Sequence, residues 1–151
     1  MGGGGVRSDL RQRAPAWFWI VAVLITVWGA IGVFAFYWDV TLSEAALAAM
    51  SDYDRALHAS RPDWFPLVYG AATWGGLLGG VALLARRAIA WLPFAVSLVA
   101  VVFQFGYIFA VTDLIAVKGA AATVPFPVAI AVIAAFQLWF TGRATRRGWL
   151  R

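Results

Sequence analysis

The chain has 151 residues, of which 63% are hydrophobic and 13% charged, with a formal net charge of +5 and no cysteine. Soluble domains are roughly 45–50% apolar and about 25% charged. This composition excludes a disordered chain, and the lack of cysteine excludes disulfide-rich modules, zinc fingers, iron–sulfur centres and thiol catalysis. It predicts an integral membrane protein with several spans.

Four long apolar stretches follow one another, each without a charged residue or histidine. A hydrocarbon core about 30 Å thick needs roughly 20 apolar residues in a helix, and each stretch has that length. Because backbone polar groups must be satisfied inside lipid, we predict an all-α fold. It is a four-helix transmembrane bundle, up-down-up-down, in a single integral membrane domain, 1–151. The predicted spans are residues 16–38, 64–85, 90–111 and 122–142.

The amino-terminal segment, residues 1–13, is predicted to be a flexible tail because of its glycine run. Three arginines in it precede the first span, as they would in a signal peptide. The apolar run is longer than a signal h-region, however, and bulky Tyr37 and Trp38 occupy the position of a cleavage site. The first span is therefore predicted to be an uncleaved helix.

The long connection after the first span, residues 39–63, is predicted to form an amphipathic helix at the outer side of the membrane. Thr41 to Glu44 fits a capping box with Thr41 as the cap. The segment either covers helix ends or contacts a partner or ligand. His58, the only histidine, is expected to be solvated, because one histidine without cysteines makes no conventional metal site.

The second span carries two overlapping small-xxx-small (GxxxG) patterns, and the first span has a matching small patch. Small residues let two helix backbones approach closely. The pattern indicates close packing of spans one and two in one subunit, homodimerisation through this face, or a site where a ligand needs backbone proximity. The residues of this predicted helix-packing or dimer face are Gly29, Gly32, Gly75, Gly76, Gly79 and Gly80.

Two tryptophans fall near the middle of their spans, where an indole N–H needs an acceptor away from water. Interhelical packing is one interpretation of these and the nearby polar residues. The other is a small polar cavity lined by Trp28, Trp74, Gln104 and Tyr107. Gln137 is predicted to lie at a different depth from Gln104, so the two amides should not pair directly.

The basic residues predict the orientation. Nine of the twelve lie in the amino-terminal tail, the turn between spans two and three, and the carboxy-terminal tail. Basic flanking segments stay in the cytoplasm, so both termini are predicted to be cytoplasmic. The positive charge is then a set of membrane flanks that attracts anionic lipids, and we expect no nucleic-acid partner.

The absence of ionisable residues from the spans argues against ion-coupled transport. No catalytic triad or phosphate loop is recognisable, so we expect no enzyme, no cofactor and no metal. Besides the lipid bilayer, the expected partners are a second copy of the chain or another membrane protein.

The sequence from about residue 14 onward resembles a family of small four-span bacterial inner-membrane proteins of unknown function. The resemblance rests on RAPAWFWIVAVLITVWGAIGVFAF, EAALAAM, ATWGGLLGGVALLARR, LPFAVSLVAVV and the ending Arg147-Gly148-Trp149. It implies a multi-pass protein of the bacterial inner membrane. Members are often labelled hypothetical proteins or sugar transporters, but no motif supports carrying a substrate over.

Two functional hypotheses follow. The first is a structural or accessory membrane protein that associates with itself or joins a larger complex. The second is an uncoupled facilitator of a small solute, acting as an oligomer, with a polar path near Gln104, Trp28 and Trp74. A cavity reaching mid-depth would favour the facilitator, and a close-packed interior would favour the accessory role.

Overall fold

The computed structural model of the chain describes residues 13–151, and this part of the chain is helical without strands. Its helices are α1 (Ala16–Val40), α2 (Glu44–Ala48), α3 (Asp52–Ala59), α4 (Phe65–Leu84), α5 (Trp91–Val111), α6 (Leu114–Lys118), α7 (Ala120–Thr123) and α8 (Pro125–Arg146). A 3₁₀ turn at Ala88–Ala90 leads into α5. The helices α1, α4, α5 and α8 are long and apolar enough to cross a membrane, which confirms the all-α four-helix bundle.

The bundle has two ends, which we name by what they carry. The terminal end carries the start of α1, the turn between α4 and α5, and Arg151. The loop end carries the short helices α2, α3, α6 and α7. The predicted flexible tail, 1–13, lies outside the described residues except for Arg13.

Glycine and proline set where the fourth long helix begins. Gly119 has a φ of 84°, a left-handed conformation that glycine adopts without strain, and it separates α6 from α7. Pro125 then opens α8, since a proline in the first turn gives up only an unpaired N–H. The helix therefore begins at Pro125, after the predicted start at residue 122, and continues past residue 142 to Arg146.

The segment between α1 and α4 forms two short helices, and its predicted cap is wrong. The Thr41 hydroxyl donates to the Tyr37 carbonyl at the end of α1, 2.6 Å away, because α1 continues to Val40. Ser43 caps α2 instead, accepting a hydrogen bond from the Ala46 N–H at 3.2 Å. Ser51 caps α3 in the same way.

The arginine side chain of α3 accounts for the break between α2 and α3. Arg55 donates from its guanidinium to the carbonyls of Leu47, Ala48 and Met50, at distances of 3.0, 3.1 and 3.0 Å. These carbonyls lie at the carboxyl end of α2, where the helix itself supplies no donors. The guanidinium thus supplies donors at the break, in addition to the Met50 N–H, which donates to the Leu47 carbonyl at 3.2 Å.

The two glycine rows of α4 face two different helices. Gly80 packs against α1, where a methyl group would lie 2.7 Å from the Thr26 hydroxyl oxygen. Gly75 packs against α5, where a methyl group would lie 2.7 Å from the Pro93 carbonyl oxygen. The absence of side chains therefore lets α4 touch both neighbouring helices at close range.

The carboxy-terminal tail closes the terminal end. Gly148, with a φ of 71°, ends α8, and the Trp149 N–H donates to the Ala144 carbonyl at 3.0 Å, as in a Schellman motif. Arg151 then pairs with the turn after α4, donating to the Arg86 carbonyl at 2.7 Å. This turn and tail hold the end of α8 against the α4–α5 connection.

Candidate ligand-binding cavity

A cavity of about 340 Å³ lies between the four long helices. All of α1, α4, α5 and α8 contribute to its wall, which is mostly apolar. Its volume is near the lower end of the range of small-molecule sites, about 300–1,000 Å³. The bundle interior is therefore not close-packed throughout.

A layer of aromatic rings closes the cavity towards the terminal end. Phe18, Phe94 and Phe140 are fully or almost fully buried there, and the rings of Phe18 and Phe140 stack with centroids 5.7 Å apart. Ser97 follows Phe94, and Gln137 precedes Phe140, by about one helical turn. Ser97 and Gln137, the polar residues at the deep end of the cavity, thus lie next to an apolar layer. We call this layer of Phe18, Phe94 and Phe140 the aromatic plug.

Three uncharged polar side chains are buried at the cavity. Ser97, Gln104 and Gln137 are 4%, 6% and 2% exposed, and all three line it. The Ser97 hydroxyl donates to the Ala72 carbonyl of α4 at 2.6 Å. Its hydrogen is therefore already used, and only its oxygen can still accept a hydrogen bond.

Gln137 is different because its side-chain N–H₂ group, Nε2, has no hydrogen-bond partner among the described residues. A buried donor left unpaired costs about 1–3 kcal/mol. At 1.5 Å per residue, Gln137 lies about 18 Å from the start of α8, beyond the middle of a core about 30 Å thick. Gln137 therefore carries a buried, unsatisfied donor beside the deep end of the cavity.

An ion pair stands at the loop end of the cavity. The Nη1 atom of Arg61 lies 3.1 and 2.8 Å from the two carboxylate oxygens of Asp39, and both residues line the cavity. The Arg61 guanidinium also covers the Phe65 ring, 4.8 Å from its centroid, and the His58 Nε2 lies 3.9 Å from Asp39 Oδ1. We call Asp39 and Arg61 the loop-end ion pair, which forms the charged part of the cavity lining.

A lateral cleft separates α1 from α8. The two helices make aromatic contacts at the terminal end through Trp17, Phe18 and Phe140. Along the rest of their length the described backbones stay apart. Ile31 and Phe126 line the cavity from opposite sides of this gap and are 57% and 67% exposed. In a bilayer, the cleft would face lipid.

The structure brings together two of the four residues that the sequence proposed for a polar cavity. Trp28 and Gln104 line it. Trp74 lies outside the lining and is partly exposed. The Tyr107 ring also lies outside and packs edge-on against Trp64, with centroids 4.9 Å apart.

Most of the lining residues were not assigned to the cavity from the sequence, and four of them matter for its polarity. Gln137 was set apart from Gln104 by depth, yet both line the same space, because the cavity is long enough to reach both. The Nε2 atom of Gln137 is unpaired, so it does not bind Gln104. Ser97, Asp39 and Arg61 were also missed as lining residues. The mid-span position of Gln137 was the one sequence signal that could have indicated it.

Some glycines of the predicted helix-packing face line the cavity, and the others contact neighbouring helices. Gly29, Gly32 and Gly76 line the cavity wall. Gly75, Gly79 and Gly80 lie in contact with α5 or α1, since methyl groups on them would meet Pro93, Phe94 and Thr26 at 2.7 Å or less. The two rows of α4 are therefore covered by helices of the same chain.

Two side-chain contacts join α3 to the segment after α5. The Tyr53 hydroxyl donates to Asp113 at 2.7 Å, and this hydrogen bond raises the pKa of Tyr53 to about 12. Lys118 forms an ion pair with Asp54. Its ammonium, with the Ser51 hydroxyl, holds the pKa of Asp54 below its usual range. These contacts hold the loop-end helices together.

The fold and the cavity define a multi-pass membrane protein with a partly polar interior site whose charged residues, Asp39 and Arg61, lie at the loop end. Within residues 13–151, no cluster of three or more His, Asp or Glu residues could hold a metal ion. Comparisons with known protein families, curated proteins and solved structures find no match.

Proposed function

We propose that this membrane protein binds a small uncharged molecule in the central cavity and facilitates its passage across the membrane. The observation that carries the proposal is the cavity itself, which extends from the loop-end ion pair to the buried amide of Gln137, whose Nε2 has no hydrogen-bond partner among the described residues. Buried polar groups are nearly always hydrogen-bonded, and exceptions call for an explanation. Rotation of the Gln137 side chain would bring this donor to a bound molecule with an acceptor atom.

The cavity chemistry favours an uncharged ligand. Below the loop-end ion pair its polar groups are hydroxyl and amide side chains, and the rest of the lining is apolar. A buried ion without a charged partner would carry a large desolvation penalty. Asp39 and Arg61 already neutralise each other, so they offer a charged ligand little net attraction.

Uncoupled passage agrees with the depth of the cavity and with the residues of the spans. The cavity reaches about 18 Å from the loop end, which leaves the aromatic plug as the remaining barrier. Ion-coupled carriers place ionisable groups within the bilayer. The middle of these four spans has none, so the ligand's own gradient would drive its movement.

We place the protein in the bacterial inner membrane with both termini in the cytoplasm. The support is the set of basic residues at the terminal end, which fits the bias of cytoplasmic flanks. They include Arg86, Arg87, Arg143, Arg146, Arg147 and Arg151. The loop end, and with it the loop-end ion pair, would then face the outside.

The accessory role, in which the chain assembles with itself or with a larger complex, draws less support. Its main sequence argument was the glycine face on the second span. Both rows of that face contact α1 and α5 within the chain, so a partner helix could not use them without separating the bundle.

The test is solute flux into liposomes that contain the purified protein, measured by light scattering with glycerol, erythritol, urea and glucose. We expect at least one solute to cross faster than in empty vesicles. Gln137→Met keeps the side-chain length and removes the donor, so flux should fall by up to about tenfold, as for the loss of one neutral hydrogen bond.

Leu138→Met is the matched control, because Leu138 lies on the same helix outside the cavity lining and should leave flux unchanged. Rates equal to those of empty vesicles for the whole panel would refute facilitated passage of these solutes.

A further inference from the structure

A second buried amide, that of Gln104, also lacks a hydrogen-bond partner. Gln104 is 6% exposed, lines the cavity, and makes no side-chain hydrogen bond within residues 13–151. In that part of the chain, Gln137 Nε2 is the one fully enclosed side-chain atom without a partner. The side-chain oxygen and nitrogen of Gln104 therefore keep accessible surface, and the open space beside them is the cavity.

The position of Gln104 on α5 directs its side chain inward. The residues of α5 that line the cavity recur at spacings of three and four, which places them on one face of the helix. They are Ser97, Val101, Gln104, Phe105 and Ile108. Gln104 lies about 10 Å from Ser97 along this face. It therefore stands in the part of the cavity between Ser97 and the loop-end ion pair.

Two polar side chains of α4 add both kinds of hydrogen-bonding atom to the lining. Thr73 Oγ1 donates to the Tyr69 carbonyl at 3.1 Å, so only its oxygen can still accept a hydrogen bond. The Tyr69 hydroxyl has no partner within the described residues and is free to donate. Both side chains line the cavity. With Gln104, which donates from Nε2 and accepts at Oε1, the α4–α5 side of the cavity offers donors and acceptors.

The wall that α8 contributes is mostly apolar. Phe126, Ile130 and Ala134 line the cavity between the start of this helix and Gln137. A solute that is polar on every side would lose hydrogen bonds to water against this wall, at a cost of about 1–3 kcal/mol for each unpaired group. The cavity therefore suits a molecule with hydroxyl groups along one edge and C–H groups along the other.

We propose that Gln104 is a specificity-determining residue of the cavity and that the transported solute is a small, neutral polyol with adjacent hydroxyl groups. One oxygen of the polyol accepts a hydrogen bond from Gln104 Nε2, the neighbouring hydroxyl donates to Gln104 Oε1, and the carbon chain faces α8. An ether oxygen only accepts, so an ether would leave Oε1 unpaired. This inference rests on the proposed function and names the solute class for the same site.

The side-chain signal of Gln104 gives a direct test of binding. The chain contains three glutamines and no asparagine, so ¹⁵N labelling of glutamine gives three side-chain N–H₂ signals. Gln104→Met assigns the Gln104 signal by its loss. The full chain in lipid nanodiscs is titrated with glycerol and with 1,2-dimethoxyethane, whose two oxygens also lie on adjacent carbons but carry no hydrogen. We expect glycerol to shift the Gln104 signal saturably, and the diether to bind about tenfold more weakly.

Flux into liposomes tests the same residue during passage. Gln104→Met keeps the side-chain length and removes both polar atoms, so glycerol flux should fall by about tenfold. Gln104→Asn keeps an amide and should recover part of the flux. Val102→Met is the matched control on α5, because Val102 is exposed outside the cavity lining, and it should leave flux unchanged.

The opposite results separate this inference from the proposed function. If urea crosses faster than in empty vesicles and glycerol does not, or if Gln104→Met leaves glycerol flux unchanged, the inference is refuted and the proposed function stands. Equal binding of glycerol and the diether would also refute the inference. If glycerol shifts the Gln104 signal but no solute crosses, the polyol site stands and facilitated passage is refuted. If glycerol neither shifts the signal nor crosses, and no other solute crosses, both fail.

Discussion

The Nη1 atom of Arg61 contacts both carboxylate oxygens of Asp39, which joins the last turn of α1 to the residues just before α4. The pair lies at the mouth of the cavity, and its two side chains are less than one-third exposed. Its position makes it a barrier as well as a link between two helices.

Breaking the pair should open the cavity to water-soluble reagents. In nanodiscs, a maleimide should react slowly with Thr73→Cys, because Thr73 lines the cavity. Adding Asp39→Asn frees Arg61 to move into solvent, so the labelling rate should rise several-fold. Thr73→Cys combined with Asp52→Asn is the control, because the Asp52 side chain is fully exposed. This variant should be labelled at the same rate as Thr73→Cys alone. Equal rates for the two variants would contradict a barrier at this position.

The close approach of α1 and α4 should not tolerate a methyl group. In Gly29→Ala the new carbon would lie 2.7 Å from the Leu77 Cα, a backbone atom, so the two helices must separate. We expect a loss of about 1–3 kcal/mol in the free energy of unfolding, seen as a lower Tm in detergent.

Gly106→Ala is the matched control for this substitution, because nothing lies within 4 Å of a methyl group at Gly106. It should leave Tm unchanged or raise it slightly, since alanine favours a helix over glycine by up to about 1 kcal/mol. A Tm drop of the same size in both variants would argue against the backbone contact.

Removing the Trp149 ring should loosen the terminal end. The ring is 8% exposed and packs edge-on against Trp17, with centroids 5.1 Å apart. Trp149→Ala should cost about 3 kcal/mol, as for other buried aromatic truncations. Trp91→Ala removes an exposed ring and serves as the comparison. The Tm of each variant measures this difference. A larger decrease in Tm for Trp149→Ala than for Trp91→Ala would support a structural role for Trp149, and equal decreases would contradict it.

The contact between Tyr53 and Asp113 should give a defined dependence on alkaline pH. Below pH 10 the phenol is protonated in the folded and unfolded chains, so the hydrogen bond is kept. Between pH 10 and about 12 the phenol ionises in the unfolded chain before it ionises in the folded chain, so the contribution of this bond to stability declines. The contribution is lost as pH rises through the pKa of Tyr53 in the folded chain.

The ¹³Cζ shifts of the four tyrosines measure this pKa residue by residue. Asp113→Asn should bring the pKa of Tyr53 back towards 10.0. A Tyr53 pKa near 10.0 in the unaltered chain would show that the hydrogen bond does not persist in solution.

The four long helices could be predicted because hydropathy over about 20 residues decides them locally. The cap of α2 could not, since Thr41 and Ser43 both carry hydroxyls and the choice depends on where α1 ends. The directions in which the two glycine rows of α4 face could be predicted in part. Gly75 and Gly76 are adjacent and so point about 100° apart, which already implies two partners.

The cavity was less predictable because it depends on how the helices are rotated and staggered. Trp28 and Gln104 were selected for polarity near mid-span, and the packing turns both towards the cavity. Trp74 and Tyr107 met the same criterion but lie outside its lining. Nothing local to the sequence specifies that α1 and α8 remain apart.

The lateral cleft also determines which parts of the bundle can move most easily. Helices α1, α4 and α5 are joined by glycine contacts that fix their spacing at van der Waals distance. By contrast, α8 packs on α5 and meets α1 mainly at the aromatic plug. The bundle is thus a rigid three-helix wall with a seam along one side. Moving α8 away from α1 would break fewer close contacts than separating α1, α4 and α5, and it would widen the site.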